Sequence, residues 1–88
     1  MERDKRLALE LLTDIHDMEG IRGVDERNLE SNRQRDSFND ADIYHLNLLL
    51  GGGFIAADIE EITGIHTYRL TWSGHDLIEK LQKEIFKV

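Results

Sequence analysis

Leu7, Ala8, Leu11, Leu12, Ile15 and Met18 recur at three- and four-residue spacing with charge on the opposite side, which predicts an amphipathic helix over 3–18. Gly20 and Gly23 stand where that helix must stop. Leu9 falls off the stripe, so it is expected to touch the neighbouring polar segment or to stay in solvent. From 20 to 36 the aliphatic residues thin to Ile21, Val24 and Leu29 without a helical or strand period, and the segment reads as an ordered polar loop. A short strand near Asn32 to Asp36 is its one element available to extend a sheet.

A second helix is predicted over 40–52. Asn39 can cap it by accepting from the free amide of Asp42, Phe38 and Ile43 form a hydrophobic staple, and Asp40 and Asp42 suit the positive end of the helix dipole. Within Gly51-Gly52-Gly53, one glycine supplies the left-handed conformation that closes a helix. Residues 54–71 then form a β-hairpin, two β-branched and aromatic stretches around a turn at Thr63-Gly64. Tyr68 and Leu70 should face inward and Arg69 outward. A last helix over 72–86 shows Leu77, Ile78, Leu81 and Ile85 on one face; Thr71 caps it, with Ser73 as competitor. Trp72 is expected to close the core and Gly74 to be a close-packing position. The sum is one α+β domain over 1–88, winged-helix-like, with three helices, a hairpin between the second and third, and room for a short third strand.

Charge qualifies this picture. The net charge is −7, and no lysine or arginine occurs between Arg35 and Arg69, the stretch that holds the second helix and most of the hairpin. Residues 20–39 carry four cations against four acids, and residues 40–71 one against five. Polyanions are repelled by such a chain unless positive charge is segregated.

The pattern Tyr44-His45-Leu46-x-Leu48-Leu49 followed by Gly53-x-Ile55, and then Arg69-Leu70-Thr71-Trp72-x-Gly74-His75, resembles a family of small uncharacterised bacterial and phage proteins of winged helix-turn-helix type. The resemblance spans roughly residues 38–80. It implies a winged-helix fold, a phage or prophage connection, and a second helix in the position that reads DNA. Gly51 and Gly52 depart from the family pattern, which places a polar residue and alanine there.

The outer side of the second helix is expected to carry Asp40, Ala41, Tyr44, Asn47, Leu48 and Gly51, with Ile43, Leu46, Leu49 and Leu50 facing the core. That outer side lacks the cations that make the commonest base and phosphate contacts, and the hairpin adds Asp58, Glu60 and Glu61. Tyr44, Leu48 and Ala41 are therefore read as the surface of a homodimer or protein partner, unless the 20–36 segment folds back over Tyr44 and Leu48. The alternative is a DNA-binding transcriptional regulator, disfavoured by charge, whose phosphate contacts would be Arg22, Arg27, Arg33 and Arg35.

Other chemistry is excluded. His16, His45, His66 and His75 have no ligand spacing and no cysteine to help them, so no metal is expected. His45 should hydrogen-bond a backbone group, and His75 should pack beside Trp72. No phosphate loop or catalytic constellation occurs, so neither enzymatic activity, nor a cofactor, nor a small-molecule substrate is expected. The absence of cysteine, of a signal segment and of a run of about 20 apolar residues implies a cytoplasmic protein without a membrane partner.

Overall fold

The computed structural model describes residues 1–33 and 38–86. Helix α1 spans Lys5–Met18, opened by Asp4, whose carboxylate accepts from the amides of Arg6 (2.9 Å) and Leu7 (3.2 Å). Of its predicted stripe, Ala8, Leu11, Leu12 and Ile15 are buried and Leu7 and Met18 partly so; Leu9, off the stripe, is buried too, only 7% exposed, because three other helices and a strand surround α1.

The segment expected to be a loop is instead structured. Strand β1 (Val24–Asp25) leads into helix α2 (Glu26–Asn32), capped by Asp25, which accepts from the Asn28 amide at 2.8 Å. Two residues hold this unit down, Val24 and the fully buried Leu29. A helix this short has no room for a repeated apolar period, which is why its pattern is silent. The third strand therefore lies at Val24–Asp25 and not near Asn32 to Asp36; Asn32 ends α2, and the rest of that span falls mainly outside the described residues.

Helix α3 (Asp40–Gly51) has the predicted Asn39 cap, and it is reciprocal: Asn39 Oδ1 accepts from the Asp42 amide at 2.8 Å, while the Asn39 amide donates to Asp42 Oδ2. Gly53, at φ +77°, supplies the left-handed residue after the helix. Strands β2 (Ile55–Ile59) and β3 (His66–Leu70) form the hairpin, and β1 pairs antiparallel with β3 on its other edge, giving the order β1-β3-β2. The register sets Val24 opposite Tyr68 and Ile55 opposite Leu70. Tyr68 and Leu70 point into the core, and Arg69 stays outside, where it pairs with Asp58 of β2.

Helix α4 (Trp72–Phe86) is capped by Thr71: the Gly74 amide donates to Thr71 Oγ1 at 3.1 Å, and the Thr71 hydroxyl donates to Gly53 O at 2.6 Å, lashing the two ends of the hairpin together. Trp72 does not close the core; it is 86% exposed. The buried side of α4 is centred on Gly74 and Leu81, and a turn of about 100° per residue puts Trp72 on the opposite side. His75 meets the ring of His16 edge-on, with centroids 5.6 Å apart.

The described fold is thus α+β with four helices, α2 followed by α3 and a β-hairpin wing against them. This is the winged helix-turn-helix arrangement.

Candidate contact surfaces

The outward strip of α3 is shaped by two polar residues that take core positions. Asp42 is fully buried, where it serves the cap and lies 3.6 Å from Arg33 Nε. His45 is 3% exposed, and its Nε2 accepts from the Asp4 amide at 2.8 Å. Because a backbone amide can only donate, the other nitrogen carries the proton and donates to Ala41 O at 2.8 Å. This neutral tautomer ties α3 to the cap of α1. The sequence places His45 against a backbone group correctly, but it turns Ile43 inward, and Ile43 is 47% exposed.

Exposed along α3 are therefore Asp40, Ile43, Asn47, Leu48 and Gly51. Of the three residues expected to form a protein interface, Leu48 is exposed, whereas Ala41 and Tyr44 are half-buried, the Tyr44 ring lying against that of His45 at 5.4 Å. Among the described residues, none of the segment carrying α2 lines the groove that contains Leu48. The neighbours of Leu48 there are the start of α1 and the inner side of α4.

The four candidate DNA contacts part company. Arg22 and Arg27 are exposed. Arg33 is turned inward, its side chain only 10% exposed and 3.1 Å from Asp14 Oδ2, so it joins α2 to α1 and is not placed for a phosphate. Arg35 lies outside the described residues.

Between α2, α3 and β3 lies a second groove bordered by Ile43, Asn47, Leu50, Glu26, Glu30 and Tyr68. Glu26 is fastened to the sheet, accepting from the His66 amide at 3.4 Å. Burial, followed by the charges of Glu26 and Glu30, pushes the Tyr68 hydroxyl above its ordinary value. The hairpin tip adds Glu60, Glu61 and the exposed Ile59 and Ile62. Ile43 and α2 are the features that sequence reasoning missed; the Asp25 cap three residues before Asn28 was the available signal for α2.

Among the described residues no group of side chains could hold a metal ion, and no helix is long and apolar enough to cross a membrane.

Solved structures similar to this chain include a MepR variant from a multidrug-resistant S. aureus clinical isolate, with a TM-score of 0.71 and 17% identity over 92% of this chain and 56% of that one. They also include a second S. aureus MepR variant bound to an oligodeoxyribonucleotide (TM-score 0.70, 17% identity, 92% and 57% covered). A third is the S. aureus MepR–DNA complex (TM-score 0.68, 18% identity, 91% and 56% covered). The chain spans little more than half the length of these proteins. No protein-family model and no curated protein matches the sequence.

Proposed function

We propose that this chain is a winged-helix DNA-binding module of the kind found in transcriptional regulators, with α3 as the reading helix. The observation that carries this reading is the full α2, α3 and wing arrangement, the fold that MepR uses in its complexes with DNA. Ile43 and Asn47, one turn apart and exposed, supply the chemistry for base edges: an asparagine amide pairs with adenine N6 and N7, and an apolar side chain packs on the thymine methyl. Arg22 and Arg27 supply phosphate contacts.

With about two such contacts per protomer, the logarithm of affinity should fall with the logarithm of salt at a slope near −2, and near −4 for a dimer. Fluorescence anisotropy with mixed-sequence and A·T-rich duplexes at low salt tests this. Arg27→Gln should weaken all duplexes alike, and Asn47→Ala should flatten the preference among them. Duplexes that never bind saturably at low salt refute the proposal.

The acids around α3 favour a second reading, in which Leu48, with Tyr44 and Ala41 beside it, contacts a protein partner or a second copy. Light scattering then shows association that Leu48→Asp abolishes; a monomer at every concentration, unable to retain a partner, refutes it.

A further inference from the structure

The groove beside Leu48 differs in charge from the rest of the molecule. It lies where the start of α1, the second half of α3 and the inner side of α4 converge, has a volume of about 300 Å³, and is lined by Leu48, Leu49, Leu77, Leu81 and Phe54. Its mouth carries Arg3, Lys5 and Lys80 against a single acid, Glu84. In a chain of net charge −7, three cations to one acid is a local reversal of sign.

Glu84 is already satisfied, since Lys5 Nζ donates to its Oε2 at 2.9 Å. That hydrogen bond holds the Glu84 carboxyl below the usual range, and the charges of Lys5, Lys80 and Arg3, which line the same groove, act in the same direction. Arg3 and Lys80 have no ion-pair partner among the described residues. His45 also borders the groove, but both its nitrogens are engaged by backbone, so it offers a ligand only its ring.

We propose that this groove binds a small amphiphilic anion: a soluble carboxylate whose hydrocarbon body lies along the leucines and whose acid group sits between Arg3 and Lys80. Apolar walls with a few convergent charges are the general form of a small-molecule site, and the charge at this mouth selects an anion. The inference is independent of DNA binding.

The test is a titration of the isotopically labelled chain, followed by backbone amide shifts, with decanoate, decanol and decyltrimethylammonium. Decanoate should give saturable shifts confined to His45, Leu48, Leu49, Leu77 and Leu81, with affinity at least tenfold above that of decanol and no binding of the cation. Arg3→Gln with Lys80→Gln should weaken decanoate about tenfold and leave decanol unchanged. Equal binding of decanoate and decanol overturns the proposal, as do shifts spread over the whole surface. It is equally overturned if anionic vesicles bind while free decanoate does not, or if the same amides shift with protein concentration alone, which would put a second copy in the groove.

Discussion

Gly74→Ala isolates the contact that fastens α4 to the hairpin. A methyl group at this position would sit 2.1 Å from Phe54 O, about 1.3 Å short of the 3.4 Å at which ordinary contact begins, and 3.2 Å from Leu70 Cδ2. The obstacle is backbone, and it cannot swing aside freely. Phe54 O also accepts from the Thr71 amide at 3.2 Å, next to the Thr71 hydroxyl that holds Gly53 O.

Helix propensity alone would stabilise the alanine variant by up to about 1 kcal/mol. Overpacking against an unyielding carbonyl costs about 3 kcal/mol, so the net loss should be about 2 kcal/mol. For a domain of this size that lowers Tm by roughly 10 °C. Thermal and urea unfolding followed by circular dichroism measure it. Gly51→Ala serves as the companion, because that glycine also lies in a helix but has nothing within 4 Å of the point where an alanine methyl would stand; it should gain a few tenths to about 1 kcal/mol. If Gly74→Ala is as stable as the parent, or if both variants shift in the same direction, the close approach of α4 to Phe54 is not what requires a glycine.

Two further outcomes are expected. Trp72→Ala should change stability by less than about 0.5 kcal/mol, because the ring stands in solvent. The emission of Trp72 should accordingly move little on unfolding, and a loss above about 1 kcal/mol would place the indole back in the core. Tyr68 provides a pH test: its hydroxyl keeps its proton in the folded state at pH values where the unfolded chain, at its ordinary 10.0, releases it. Stability is therefore undiminished below about pH 10 and declines as pH rises from there toward the folded value. Tyr68→Phe should remove that alkaline slope in urea titrations run on both sides of pH 10, and an unchanged slope would contradict the assignment.

Charge and fold pull in different directions in this molecule. The arrangement of α2, α3 and the wing is the fold shared with MepR, whose complexes hold DNA, yet here the groove beside α3 is bordered by Glu26 and Glu30, and one candidate arginine is turned inside the protein onto Asp14 and Asp42. Under the proposed DNA-binding reading, both facts together call for weak, shallowly salt-dependent binding carried by Arg22 and Arg27.

What the amino-acid order settles by itself is local. The Asn39 cap, the Thr71 cap, the left-handed glycine after α3, the hairpin and the inward phase of Tyr68 and Leu70 each depend on a few adjacent residues, and each stands where the pattern puts it. Tertiary structure decided the rest. Helix α2 exists because Leu29 finds a fully buried place beneath it, a reward that no window around Glu26–Asn32 contains. Asp42 and His45 displaced Ile43 from the inner side of α3 because distant groups, Arg33 and the Asp4 amide, meet their polar atoms there. Polar residues can enter a core only where such partners already wait, and those partners come from parts of the chain that only folding brings together.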